Sequence, residues 1–363
     1  MPGELNEQQI RKTAIYLGLS SDFIRKDYFV TKAIRLLVGI QNDYFGLVFQ
    51  GGTSLSKGYG VINRLSEDID FRVISKTACT GLGKDAKRRE LRSFRHELVS
   101  TLVHAGFDVK PHDVKVFYEG RYMSIRASFD GSQGITYLRP HIAIDCFLGT
   151  LELNPEIKNI SSMVKVTLGN TECDHDYFPV ACVDLNETAA EKWVALSRRI
   201  IDANKTPRDS DKHLIRHLYD LYQLHQKKCL SDDYDHVVER VLEKEQDLFG
   251  SSTDDLRAKI GSAFHHLRFD KKWEEHWDFF LEQMVYYPEK PLFEEALSVV
   301  EQMHPKSLGA FNGQSQLKET PTLTYEQLLS EQAQEHPRTT TTTTTTTTTE
   351  KPETIPKKRA IKR

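Results

Sequence analysis

The chain has no long apolar run: nowhere do its 363 residues approach the ~20 apolar positions that a helical membrane span needs. The N-terminus, Met1-Pro-Gly-Glu-Leu-Asn6, has neither the basic start nor the apolar stretch of an export signal. Cysteine is scarce. The five present (Cys79, Cys146, Cys173, Cys182, Cys229) are odd in number and scattered, which argues against a disulfide framework and for a reducing compartment. The expected setting is therefore soluble and cytoplasmic. Neither sign of charge dominates, since 49 Lys and Arg face 52 Asp and Glu for a net charge of −3. A nucleic-acid partner would have to be held by a local patch. A P-loop is missing too: after Gly51, Ser56 stands where its second glycine belongs and Gly58 where Ser or Thr would bind magnesium. That removes a kinase or P-loop ATPase.

What is present is a glycine turn beside paired carboxylates. Leu47-Val-Phe49 reads as a short apolar strand, followed by Gly51-Gly52, where the backbone turns tightly and approaches a ligand with no Cβ in the way. Thr53 and Ser54 offer hydroxyls and amides at what reads as a helix start, where donors are unpaired and the dipole favours anions. In Asp68-Ile-Asp70-Phe71 the two-residue period of a strand sends both acids to one face. Two such carboxylates share hard cations, so the conjunction suits a metal-bound triphosphate. Each half alone has a plainer reading, a simple turn and a solvated strand face.

Residues 4–40 read as two helices, Lys84 to His104 as an amphipathic helix, and Val114–Tyr118, Tyr122–Ala127 and His141–Phe147 as strands. From Asp184 the pattern is helical to about Met303. The expected division is an α/β domain over 1–183, a helical domain over 184–305 that completes the active site, and a disordered tail over 306–363, with its Thr339–Thr349 tract and basic end.

Three further positions stand out. Alternation along His141–Phe147 puts Asp145 on one face with His141, Ala143 and Phe147; it is either a rim acid facing water or a partnered acid beside the pair. The helix opening at Asp184-Leu-Asn-Glu187 reads as a capping box, and Lys192 falls inside its apolar stripe, either bound to an anion or snorkelling outward. His213, His217 and Asp220 share one helical ridge, which allows a zinc site as well as plain surface histidines. Cys173-Asp-His-Asp176 brings together only one thiol and one imidazole, so a reduced loop cysteine is the better reading.

Gly51-Gly52-Thr53-Ser54-Leu55-x-Lys57 followed by Arg64-x-Ser66-x-Asp68-Ile69-Asp70 resembles the signature of the AbiEii/AbiGii-type toxins. These are nucleotidyltransferases of the DNA-polymerase-beta-like superfamily, encoded in type IV toxin–antitoxin and abortive-infection systems. The resemblance extends from about Lys26-Asp-Tyr28, through Leu185 to Arg199, to Arg216-His-Leu-Tyr-Asp220. It implies a small mixed sheet of the polymerase-beta type followed by helices. It further implies transfer of a nucleoside monophosphate from an NTP to an acceptor hydroxyl, with release of pyrophosphate. Asp68, Asp70 and, as third acid, Asp145 would hold Mg²⁺, two ions in this mechanism. Gly51, Gly52, Thr53, Ser54, Lys57 and Lys192 would bind the nucleotide, and Asp68, Asp70, Lys192 and Asp220 would act in catalysis. The implied partners are the tRNA 3′ end as acceptor and a cognate antitoxin. A small molecule or protein hydroxyl as acceptor stays open, as does a non-catalytic nucleotide- or RNA-binding module, although the intact Asp68-Ile-Asp70 counts against the latter. The chain departs from the family's Arg-Asp-x-x-Asp in having His217 for the first acid, which leaves an altered acceptor site open there.

Overall fold

The computed structural model describes residues 6–132, 138–169, 177–205, 214–249, 264–286 and 290–305. The expectations about Cys173-Asp-His-Asp176, His213 and the 306–363 tail fall outside them. Among the described residues, no helix is long and apolar enough to cross a membrane.

Two helices open the chain, α1 (Glu7–Leu17) and α2 (Ser21–Val38). Asn6 and Ser20 cap them, their side chains accepting from free amides of the first turn. Next come β1 (Phe45–Gln50), α3 (Gly51–Lys57) and β2 (Ile69–Ser75), then α4 (Lys84–His104), β3 (Val114–Phe117), β4 (Tyr122–Ala127) and β5 (Ile142–Leu148). The strand expected from His141 thus starts one residue later. Two further strands, β6 (Glu156–Ile160) and β7 (Phe178–Cys182), flank the short α5 (Met163–Leu168).

All seven strands join one mixed sheet in the order β3-β4-β5-β2-β1-β7-β6. β2 runs antiparallel to β1 and parallel to β5. One face is apolar: Ile69, Phe71, Val73, Met123, Ile125, Ile142 and Ile144 are buried with Ile34 and Leu37 of α2 and Phe94, Leu98 and Leu102 of α4. At ~25 cal/mol per Å², such a face drives much of the folding of this half. The opposite face carries the alternate residues of the same strands, Asp70, Arg72, Ser124 and Asp145 among them, beside a small apolar cluster of Val48, Ala181 and Val183.

The helices that follow include α6 (Leu185–Lys205), α7 (Ile215–Gln226), α8 (Tyr234–Phe249) and, later, Lys272–Met284 and Phe293–Gln302. They share a second core, in which Trp193, Leu218, Leu221, Trp273 and Trp277 are fully buried. Leu55, Val61 and Ile62, just after β1, also enter this core, so the helices pack onto the glycine turn. α6 is further pinned to the polar sheet face by Arg72 of β2, whose guanidinium pairs with Glu187 at 2.5 Å, with Glu191, and with Gln50 at 2.8 Å. Asp184 begins α6 as expected, accepting from the Asn186 amide at 2.7 Å. Glu187 does not reach back to complete a capping box. It is fully buried, bound to Arg72 and to the Glu152 and Leu153 amides, because a buried carboxylate gains more from a guanidinium and two amides than from one exposed cap.

Candidate active site

Register brings the acids together. Asp70 of β2 lies beside Asp145 of β5 in the parallel ladder, and Asp145 in turn faces Ser124 of β4. Asp68 precedes β2 by one residue, two positions from Asp70 and hence on its side of the strand. Asp70 is pushed up to about 7, first by burial and then by Asp145 and Asp68. One oxygen of Asp145, Oδ1, is buried with no hydrogen-bond partner. Asp68 instead accepts from Arg139 at 3.0 Å at the rim. Of the two readings of Asp145, the geometry is that of an acid beside the pair.

Gly51 sits at φ +79°, and a Cβ there would lie 2.2 Å from Asp70 Oδ2, so the residue has to be glycine on both counts. A Cβ on Gly52 would lie 2.4 Å from Arg64 Nη2. The turn thus makes room for a carboxylate on one side and a guanidinium on the other.

Opposite the acids is a cation pair held by one carboxylate. Asp220 of α7 has no exposed surface; it accepts from Arg64 Nε at 2.7 Å and Nη2 at 2.8 Å, and from Lys192 of α6 at 2.9 Å. Burial would raise its pKa, but Arg64 and Lys192 outweigh that and hold it well below the usual carboxylate range. Two positive charges share one negative, so this wall is one cation in surplus and complements an anionic ligand. Lys192 is therefore anion-bound rather than snorkelling, although its bound anion is Asp220.

Other expected residues are placed differently. Lys57 is turned to Asp27 of α2 at 2.5 Å and is 8% exposed, so it ties α3 to α2 and leaves the acids to others. The Thr53 hydroxyl donates to the Asp68 carbonyl and lies 2.8 Å from Ser66 Oγ, while Ser54 is buried. What these two positions leave for a ligand is their backbone. His217 of α7 is held neutral, chiefly by burial, with Nε2 3.3 Å from Arg199 and a buried Nδ1 that has no partner. An arginine only donates, so Nε2 accepts and the proton sits on Nδ1.

Composition and spacing did not single out Arg64 or Arg139. Arg64 stands inside the quoted signature, but its partner is 156 positions away. Lys26 is another: fully buried, it donates to Glu67 at 2.5 Å and to the Arg139 carbonyl at 2.8 Å, fixing the segment whose guanidinium reaches Asp68.

No three acidic, His or Cys side chains among the described residues already close on one point as a metal cage. The donors nonetheless suit a hard divalent cation, because an orphaned oxygen on Asp145 and mutual repulsion at Asp70 are relieved by one. A prediction follows for the apo protein. An unfolded aspartate titrates near 4, whereas Asp70 does so at about 7, so the native state holds this proton more tightly. The stability that Asp70 contributes is present below pH 4 and is lost as pH rises to 7. With chelator present, Asp70→Asn should raise the Tm at pH 8 by several degrees, up to about 4 kcal/mol for about three pH units at ~1.4 kcal/mol each, and by much less at pH 5. Equal melting of the two proteins at pH 8 would contradict that placement.

Comparison with known proteins bears on the family and the fold. The family described as "Nucleotidyl transferase AbiEii toxin, Type IV TA system" matches residues 35–299, most of the chain. Among solved structures, the nucleotidyltransferase toxin MenT4 from Mycobacterium tuberculosis H37Rv is similar, with a TM-score of 0.54 and 18% identity over 85% of this chain and 91% of that one. At that identity the likeness shows the fold. No curated protein matches by sequence.

Proposed function

The chain belongs to the AbiEii nucleotidyltransferase toxin family, and from that premise we propose that it transfers a nucleoside monophosphate from an NTP to a 3′ hydroxyl of RNA, the tRNA acceptor end, releasing pyrophosphate. The observation that carries the reading is the pairing of Asp70 with Asp145 across from the charge-surplus wall of Arg64, Lys192 and Asp220. In a type IV system the resulting growth arrest is countered by an antitoxin, which is the cognate partner in this reading.

Asp70, Asp145 and Asp68 are the residues that would hold Mg²⁺. When bound, the cation supplies Lewis acidity and charge neutralisation at the phosphoryl group. The chain's own part is positioning and charge. Lys192 has three N–H donors and gives one to Asp220, which leaves two for phosphate oxygens. Arg64 lies against Gly52, so its surplus charge and the backbone of the turn meet at one place. Together they favour the charge that accumulates on departing pyrophosphate. Asp220 has no surface to offer a ligand and acts here by holding both cations. The helical segment thereby completes a site that the sheet half begins, consistent with the proposed division near residue 184.

Lys192→Ala should weaken binding of a non-hydrolysable NTP roughly 10-fold or more, the loss of about one charge-assisted contact. Isothermal titration measures it, and unchanged affinity in a folded variant would reject the phosphate role of Lys192.

A further inference from the structure

The polar face of the sheet does not end at the acids. Register carries it outward: Asp145 pairs with Ser124, and Tyr122 pairs with Phe117 of the edge strand β3, so Phe117 and Lys115 share the face of Tyr122, Ser124, Asp145 and Asp70. Phe117 is 47% exposed, with its ring tilted against Tyr122 at 5.9 Å between centroids. Burial and then the Asp145 carboxylate raise the Tyr122 hydroxyl, which marks how near this ring lies to the acids. Lys115 and Arg126 share this sheet face, Arg121 directly precedes Tyr122 in sequence, and all three are exposed. Glu119, two residues beyond Phe117, is held low by its hydrogen bond from Arg88 and by the charges of Arg88, Lys84 and Arg121.

An apolar ring left half in water at a sheet edge has a cost that packing inward would remove. Here two rings lie on one strand pair with exposed cations on the same strands; Tyr122 is one strand spacing and two residues from Asp145, and Phe117 one spacing further, ~8 and ~12 Å between Cα positions. Bases of a single strand stack on such a platform while the phosphates meet the cations. A protein strand added to β3 would use its backbone edge and would gain nothing from the surrounding positive charge. We propose that Phe117 and Tyr122, with Lys115, Arg121 and Arg126, form the subsite on which the single-stranded 3′ end of the acceptor RNA stacks on its way to Asp145. This rests on the acceptor being RNA, as read above.

The experiment uses the full chain, an NTP and a 3′-terminal single-stranded oligoribonucleotide whose extension is followed, beside titration with a non-hydrolysable NTP. Phe117→Ala and Lys115→Glu should each raise the KM for the oligonucleotide roughly 5- to 50-fold and leave NTP affinity unchanged, and Phe117→Trp should restore most of the loss. Thermal melts check that these exposed-site variants fold. Wild-type KM in both variants would overturn the subsite while leaving RNA as acceptor. A wild-type protein that binds NTP but extends no RNA would overturn the acceptor reading first, and the subsite with it. Loss of NTP affinity in Phe117→Ala would assign the platform to the nucleotide base and also overturn the proposal.

Discussion

Replacing Asp70 by Asn should reduce nucleotide transfer at least about 1,000-fold, since losing a few kcal/mol of charge stabilisation at the phosphoryl group divides the rate tenfold for each 1.4 kcal/mol. The substitution keeps the shape beside Gly51 and removes one of three neighbouring negative charges, so the protein should fold, and at pH 8 without metal it should melt higher than wild type. Asp145→Asn should lose activity similarly, because Asp145 lies beside Asp70 in the ladder and its Oδ1 is buried with no partner. Rate measurements at saturating NTP and Mg²⁺, paired with melts, separate the two effects. A folded Asp70→Asn protein with normal turnover would contradict the assignment of the acids.

The second large effect concerns stability as much as rate. Asp220 is buried and holds both Arg64 and Lys192, so Asp220→Ala leaves two cations without their anion. Breaking a buried pair in this way costs about 3–5 kcal/mol. Urea unfolding should show that loss, and activity should vanish in whatever remains folded. Adding Lys192→Met to Asp220→Ala removes one uncompensated charge and should recover part of the stability, a coupling that a double-mutant cycle reads. Activity should not return. Recovery of both would mean that Lys192 and Asp220 serve only the fold.

The acids were legible because a strand's period is 2, and Asp68-Ile-Asp70-Phe71 separates acids from apolar residues at that spacing. The amphipathic α4 was legible for the same kind of reason, its buried Leu91, Phe94, Leu98 and Leu102 recurring at helical intervals. β6 and β7 were not. Glu-Ile-Lys-Asn-Ile lacks clean alternation, and β7 contains Pro179, which ordinarily marks a segment as something other than a strand. Partners distant in sequence were also beyond reach. Lys57 and Lys192 look equivalent as lone lysines, yet one is taken by Asp27 and the other by Asp220, a difference set by which helices pack together. Glu187 illustrates the converse: a local capping pattern lost to a tertiary pair with Arg72, 115 positions away.

His217 gains a physical reading once its neighbours are known. A carboxylate at this position would sit beside Arg199 and within the influence of Lys192 and Arg64, whereas a neutral imidazole leaves the wall one negative charge poorer. The positive surplus of the wall is thereby larger than an acid at this position would allow.

The most direct test of the central claim follows the two ends of the nucleotide separately. Purified protein is incubated with Mg²⁺, total RNA and an NTP labelled either at the α-phosphate or at the γ-phosphate. The α label should enter RNA, the γ label should leave as pyrophosphate, and both should be absent with Asp70→Asn. γ label on RNA, or α label released as a free nucleotide with none in RNA, would contradict nucleotidyl transfer to RNA.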